Sequence, residues 1–506
     1  MLASSLTSVD NMITKTGIAA AITIAFLVIA SWLPLAWLHR RRAQVVIEDV
    51  AAGEDIPRSA ASGLSPQLRQ AVSRALLHEK EHGEASYAVL TTLARDIDDG
   101  LLRIHGHVQV RAIAAELHSS TEDSLAALTA GIRAVAPSQA EGLVAALGAI
   151  LPTQRGWVVR TYPALRGEGD KTEAGLTLEL APLERAPDAV TSFWASSEAL
   201  RQAETEAALA AAMRPLLHQL LAPAARWIET RLVARQLAQS RVPMSWRLLF
   251  GRQRRQELAG LQMQLAGQMS LYAATEQEVF YQGFTDQALA DLAEAASRLP
   301  AYFRPDHTAA AVHERLGWAH RRSGDLAGAA DEFERAVRQY DTAAKLLAET
   351  PGAAPEPRQA ALERVRVRQA KCRLLSGDRS HIEIARRELA GLLRITGTTA
   401  AELYNTACLF AVAMSSPDMH EELRSAYASR TWHLLGRSLL AEGAEGPWGY
   451  VMTDVELGAL EEQQRTDFLT ELKQRHPELK PLDGEAAQML VKQAMHAIGI
   501  EPPGDP

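Results

Sequence analysis

The chain has few cysteines, few aromatic residues, and neither a nucleotide-binding loop nor the nucleophile elbow of a serine hydrolase. Its 506 residues include two cysteines, Cys372 and Cys408, which exclude a disulfide-stapled scaffold and are typical of a reducing compartment. Aromatic residues make up only 5%, whereas strand-rich folds need aromatic and β-branched residues to cover their sheets. The sequence contains no Walker loop, no dinucleotide-binding glycine fingerprint and no Gly-x-Ser-x-Gly elbow. We therefore expect neither an enzyme nor a bound cofactor.

A basic surface is also lacking, because 53 Lys and Arg are set against 61 Asp and Glu, for a net charge of −8. This balance argues against nucleic-acid binding, which a basic domain or stripe would accompany. Two residue types are abundant: there are 89 alanines, and arginine supplies 45 of the 53 basic residues. Alanine is the best helix former, so we predict a mainly α fold of several domains. The arginine bias is typical of a GC-rich, bacterial genome.

One long uncharged stretch lies near the N-terminus. Residues 17–38 read GIAAAITIAFLVIASWLPLAWL, and as a helix they would measure about 33 Å, enough for a hydrocarbon core of about 30 Å. Trp32 and Trp37 lie near one end of the stretch, where indoles favour the membrane interface. We predict a single transmembrane helix. The alternatives are a cleaved signal peptide, whose apolar region would be shorter, and a buried core helix.

The charges that flank this stretch predict its orientation. Arg40, Arg41 and Arg42 follow it closely, whereas Lys15 is the only basic side chain before it. The positive-inside rule then places residues 1–16 outside the cytoplasm and the bulk of the chain inside, at the inner (plasma) membrane. Residues 39–66 are predicted to be a basic flank and a linker rich in Gly, Pro and Ser.

The next two regions differ in their periodicity. Apolar residues at three- and four-residue steps predict helices in 67–151. Region 152–260 is predicted to be α+β, with a small antiparallel sheet and long helices. Its three strands are the β-rich runs 157–162, 175–180 and 189–194.

The C-terminal half contains a repeat signal, strongest in residues 316–336, LGWAHRRSGDLAGAADEFERA. Small residues, a turn glycine and an aromatic residue recur there at the spacings of a helical hairpin: Gly317, His320, Gly324, Ala329, Phe333 and Ala336. This pattern resembles the tetratricopeptide repeat (TPR) family. The resemblance implies that the small residues allow close helix packing and that Phe333 fills the space beside the next repeat. His320 replaces the usual aromatic residue, and we expect it to be packed in the core.

Weaker copies of the pattern flank this hairpin. Upstream, YQGFTDQALADLAEAASRLP (281–300) matches it, and downstream Ala407 and Trp432 are expected to face inward. The resemblance implies a TPR-like α-solenoid over 261–475, followed by a C-terminal helix and tail in 476–506; the alternative is an unrelated helical bundle. It further implies a scaffold, adaptor or regulatory subunit that binds protein or peptide partners in a helical-repeat groove.

A competing function depends on His78-Glu79-Lys80-Glu81-His82, which matches His-Glu-x-x-His. On a helix His78 and His82 would share a face and could bind zinc, with Glu79 as the base of a membrane-bound metallohydrolase. The charged Lys-Glu between them favours an exposed helix face instead. We also expect His105 and His107 to be surface or capping residues, and both cysteines to be buried structural thiols.

Overall fold

The structure is a computed structural model that describes most of the chain after residue 43. The described residues are 44–50, 56–82, 89, 92–93, 95–102, 109–110, 156–182, 189–239, 244–276, 281–350, 354–392, 399–416, 419–441, 448, 450–476 and 484–501. Within these ranges no helix combines the length and the apolar composition that crossing a membrane requires. The predicted membrane segment 17–38, Arg40 to Arg42, His105 and His107 lie outside the described residues.

The chain forms two compact units. The first consists of residues 1–86, 112–236 and 276–283, and the second of residues 87–111, 237–275 and 284–506. Most of the described secondary structure in both units is helical, which confirms the mainly α fold.

A four-stranded sheet is the centre of the first unit. Its strands are β1 Gln44–Ile47, β2 Gly156–Arg166, β3 Glu173–Pro182 and β4 Ala189–Ala195, which lie side by side in that order. Strands β2, β3 and β4 form an antiparallel meander, as predicted. Leu176, Leu178 and Leu180 alternate along β3 and are fully buried, because every second residue of a strand points to the same face.

Strand β1 corrects the predicted sheet and the predicted linker. It lies inside 39–66 and pairs with β2 in parallel, with Val45 opposite Trp157. The sheet is therefore mixed rather than antiparallel. A run of four residues, Gln-Val-Val-Ile, is too short to signal a strand on its own, and its pairing partner is more than a hundred residues away in the chain. The pairing is thus set by tertiary structure.

The helices among the described residues of the first unit are α1 Arg58–Ala61, α2 Leu64–His82, α3 Glu198–Arg201, α4 Glu206–Gln219 and α5 Leu221–Leu237. Helix α2 is joined to β1 by polar contacts, since Arg69 donates to the Ile47 carbonyl at 3.2 Å and pairs with Asp49 at 2.9 Å. Helices α3 and α4 pack near β3, and Leu200 and Met213 are buried. The three-stranded meander thus gains the helical support that so small a sheet requires.

The second unit is a succession of helices with a two-residue strand pair, Gln109–Val110 with Ala238–Gln239. Its described helices include α6 Met244–Glu276, α7 Tyr281–Arg298, α8 Arg304–Arg322, α9 Leu326–Glu349, α10 Pro355–Leu375, α11 Arg379–Leu392, α12 Ala400–Met414, α13 Glu421–Leu440, α14 Glu462–Arg475 and α15 Gly484–Ala497. A 3-10 turn, Val455–Leu457, precedes α14.

Successive helices of this unit pack as pairs and then against the following pair. Helix α8 packs on α9, α10 on α11 and α12 on α13, while α10 also contacts α9 and α12. The turn between α8 and α9 uses Gly324, whose φ of +83° favours glycine. Asp325 then begins α9 by accepting a hydrogen bond from the Gly328 N–H at 2.9 Å. Short turns of this kind make neighbouring helices antiparallel.

Helices α10 to α15 enclose a shared apolar core. Trp432 is fully buried there, and its ring centroid lies 4.8 Å from that of Phe468. Ala407 is also fully buried, so both residues face inward as expected. The cysteines Cys372 and Cys408 are free and buried, which agrees with their predicted role as structural thiols.

Candidate functional site

The predicted hairpin residues pack between α8 and α9. A Cβ atom added to Gly317 would lie 2.9 Å from the Phe333 ring, so only glycine allows this approach. Ala329, Phe333 and Ala336 are buried as expected. His320 differs from the expectation, because its side chain is 39% exposed and its Nδ1 lies 2.9 Å from the Asp325 carboxylate. It contacts the residue that caps α9 rather than packing in the core.

A buried ion pair joins the first hairpin to the next helix. The Lys371 ammonium on α10 lies 2.6 Å from Glu314 on α8, and the two side chains are 1% and 3% exposed. Tyr340 on α9 donates a hydrogen bond to the other oxygen of Glu314 at 2.9 Å. Three successive helices thus meet at one carboxylate. A buried charge is tolerated only when it is paired and hydrogen-bonded in this way.

Lys371 also contacts a second carboxylate, on the 3-10 turn before α14. Its Nζ donates to both oxygens of Glu456 at 2.7 Å. The neighbouring Asp454 accepts a hydrogen bond from the Tyr404 hydroxyl at 2.9 Å and lies 3.9 Å from the Cys408 sulfur. One lysine therefore links residues far apart in the sequence.

The two carboxylates that share Lys371 respond to it differently. Burial raises the pKa of Glu314, but the Lys371 ammonium and the Arg368 guanidinium outweigh burial and bring the pKa down to about 2. The pKa of Glu456 is raised, because burial outweighs the effect of Lys371 and because Glu314 and Asp454 add negative charge. Glu314 is thus the carboxylate held most firmly in its charged form.

Cys408, Asp454 and Glu456 could together offer ligands to a metal ion, since one donor atom of each lies within 4.8 Å of the others. A thiolate and carboxylates would suit zinc. However, the Lys371 ammonium already contacts both oxygens of Glu456, and burial raises the pKa of the Cys408 thiol well above its ordinary value. A protonated thiol and an internal lysine favour an ion network over a metal centre.

A cavity of about 460 Å³ opens on the same helices, next to this network. Ala360, Arg364 and Arg368 line it from α10, where steps of four residues keep them on one face. Helix α8 contributes Arg304 and His307, and the start of α12 adds further lining residues. The charged and titratable residues that line the cavity are Arg95, Arg304, His307, Glu363, Arg364, Arg368 and Glu402.

The arginines of the cavity are held in different ways. Arg304 binds Asp96 through two hydrogen bonds of 2.9 and 2.6 Å, and Arg364 donates to Glu402 at 2.7 Å. Arg368 forms an ion pair with Glu314 at 3.6 Å, and its buried Nε makes no hydrogen bond to a described residue. Its side chain is 27% exposed. Arg95, the fourth arginine, lies 3.6 Å from Asp99.

His307 lies among these arginines on the wall of the cavity. Its ring makes edge contacts with Phe303 and Tyr340, at centroid distances of 6.2 and 5.6 Å. Burial lowers the pKa of His307 well below its ordinary value, and the arginines at 304, 368 and 364 lower it further. The imidazole is therefore neutral at neutral pH.

This cavity was not predicted from the sequence. Arg364 and Arg368 are four residues apart on α10, and like charges at that spacing destabilise a helix. That spacing is a signal that could have marked them. Asp96, which binds Arg304, and Glu402 gave no comparable signal, because they come from parts of the chain distant from their partners.

The zinc alternative depends on side chains that lie outside the described part of the structure. Residues 78–82 belong to α2, so the backbone there is helical as predicted, but the side chains of His78, Glu79 and His82 lie outside the described part of the chain.

Comparisons with known proteins add no relative. No protein-family model, curated protein sequence or solved structure shows significant similarity to the chain.

Proposed function

We propose that this protein is a membrane-anchored scaffold or adaptor that binds a protein partner through TPR-like helical hairpins. One observation carries the proposal: the hairpin α8–α9, packed through Gly317 and Phe333, is followed by two further helix pairs that pack in sequence order. Each pair contacts the next, as in solenoids.

The first helices of the three pairs support a binding role. Residues of α8, α10 and α12 line the same cavity, so these helices present a common face. In helical-repeat proteins such a face is extended and concave and binds peptides or helices of other proteins. The common face, defined here by Arg304, Ala360 and Ala401, is the proposed partner-binding surface.

The proposed anchor is the apolar stretch 17–38, with Arg40 to Arg42 on its cytoplasmic side. Its support comes from the sequence alone: a length of about 33 Å as a helix and the asymmetry of the basic residues. Anchoring would hold the partner at the inner face of the plasma membrane and raise its local concentration there.

Site-specific photocrosslinking in cells tests the proposed binding surface. A photoreactive residue replaces Ala360 on the common face of the full-length chain, and a matched control carries it at Arg366, which is exposed on α10 outside the cavity. We expect position 360 to crosslink to one defined protein, identified by mass spectrometry, and position 366 not to. Equal crosslinking at both positions, or none at position 360, would overturn the proposal.

A further inference from the structure

We propose that the cavity between α8, α10 and α12 binds a small molecule that carries a phosphate or carboxylate group. The cavity lies on the proposed partner-binding surface, but a small-molecule ligand goes beyond the proposed scaffold function and is tested without a protein partner. Its volume of about 460 Å³ is within the range of about 300–1,000 Å³ that is usual for small-molecule sites. Four arginines line it, together with Glu363 and Glu402, so the wall offers many cationic hydrogen-bond donors.

The carboxylates near the site hold these arginines to different extents. Asp96 binds Arg304 in bidentate fashion, and Glu402 binds Arg364. Arg368 lies 3.6 Å from Glu314, a carboxylate that it shares with Lys371 at 2.6 Å. Because the buried Nε of Arg368 makes no hydrogen bond to a described residue, its planar guanidinium has a donor left for the oxygens of a carboxylate or a phosphate.

His307 supplies a second group that would respond to an anion. Its ring lies on the cavity wall and makes edge contacts with Phe303 and Tyr340. The charged groups that act on it are Arg304, Arg364 and Arg368, opposed by Glu314, and Glu363, Glu402 and Arg95 also line the cavity. A bound anion would offset the arginines, so His307 would take up a proton when the ligand binds.

The start of α12 lies at the cavity and favours the same ligand. Thr399 and Ala401, at the N-terminus of this 15-residue helix, are lining residues. The N-terminus of a helix carries partial positive charge and attracts anions. The N-terminus of α12 adds to the attraction that the arginines exert on an anion, but the proposed site depends on the arginines.

Calorimetric titration of the purified full-length chain in detergent tests the inference. Pyrophosphate and citrate are the two probes, because they separate phosphate from carboxylate recognition. We expect at least one of them to bind, with net proton uptake at pH 6, measured by repeating the titration in buffers of different ionisation enthalpy. His307→Gln should retain the fold and remove the proton uptake.

Three further variants place the binding in the cavity. Arg368→Gln should weaken the probe about 10- to 100-fold, the usual effect of losing a charged hydrogen bond. Ala401→Glu should weaken it similarly, because it adds a negative charge at the cavity and removes no ion pair. Arg366→Gln, on the exposed side of α10, should bind as the unmodified chain does. The inference is overturned if neither probe binds, or if both cavity variants bind as well as Arg366→Gln.

Discussion

The Lys371 ammonium and the Glu314 carboxylate lie 2.6 Å apart and are almost completely enclosed, although 57 positions separate them in the sequence. Lys371 also reaches Glu456, so one cation joins the first hairpin of the second unit to the turn before α14. The contacts of Lys371 thus depend on how the helices of the second unit are arranged.

Replacing Lys371 with methionine should destabilise the second unit strongly. The substitution leaves Glu314 charged and buried without its lysine, and breaking one side of a buried pair costs about 3–5 kcal/mol. The free energy of unfolding, measured by urea denaturation of the full-length chain, should fall by that amount. Lys345→Met, an exposed lysine on α9, is the matched control and should change it by less than about 0.5 kcal/mol. Adding Glu314→Gln to Lys371→Met should restore part of the lost stability. Equal free energies of unfolding for Lys371→Met and Lys345→Met would contradict the prediction.

Stability should fall below about pH 4.5 through Glu314. Its pKa is lowered from the ordinary 4.5 to about 2 in the folded chain, so the unfolded chain binds more protons between these values. The stabilisation is therefore complete above pH 4.5 and is lost as the pH falls toward 2. Urea denaturation at several pH values across this range gives the free energy of unfolding as a function of pH. The slope of this free energy against pH should be smaller for Glu314→Gln than for the unmodified chain. Identical slopes would show that the carboxylate is not held in its charged form.

His307 should affect stability in a higher pH range. Its pKa is lowered well below 6.5 in the folded chain, so stability is complete above about pH 6.5 and falls as the unfolded chain becomes protonated. The pKa of Glu456 is raised in the folded chain, so its contribution to stability is lost as the pH rises above its ordinary pKa, which is the opposite of the effect of His307. The informative quantity is therefore the difference between the chain and its His307→Gln variant. Between pH 6.5 and 5 we expect the free energy of unfolding to fall less for this variant than for the unmodified chain. If the difference between the two free energies stays the same over this range, the imidazole is not held neutral in the folded chain.

Gly317 and Phe333 should be energetically coupled. A Cβ at position 317 would meet the Phe333 ring at 2.9 Å, and overpacking of this kind costs about 1–3 kcal/mol. Gly317→Ala should therefore destabilise the chain, although alanine is the better helix former. In a Phe333→Leu background the same substitution should cost less, because the ring is gone. A double-mutant cycle measures this coupling, and additive effects would mean that the close approach is not the cause.

Membrane association should depend on the apolar stretch 17–38. Removing residues 1–42 should release the chain from washed membranes into the supernatant, because the proposed anchor is lost. Moving Arg40 to Arg42 to the N-terminal side of the stretch should reverse the orientation, which protease protection of a C-terminal tag detects. A truncated chain that stays in the membrane fraction would rule out this anchor.

Several features followed from local sequence patterns. Leu176, Leu178 and Leu180 marked β3 because alternation fixes which face is buried, and the alanine-rich runs marked helices because backbone propensity is a local property. Gly317, Phe333 and Ala336 pack as their spacing predicted, since one hairpin is formed by neighbouring residues.

Other features depend on residues that are distant in the sequence. Strand β1 was assigned to a linker because its four residues become a strand only by pairing with β2. His320 was expected in the core, but its place at the end of α8 lets it contact Asp325 and solvent. The carboxylates that pair with the arginines at 304, 364 and 368 could not be inferred from spacing, because Asp96, Glu402 and Glu314 come from three separate segments.

By itself, then, the sequence determined the helical character, the meander and the contacts within the strongest hairpin, all of which arise from interactions over a few residues or one turn. Only the tertiary structure decided that Lys371 lies between Glu314 and Glu456, and that Arg368 lines a cavity while it shares the Glu314 carboxylate with Lys371. The reason is physical: the energy of a buried charge depends on every group within a few ångströms, and folding brings those groups together from across the chain.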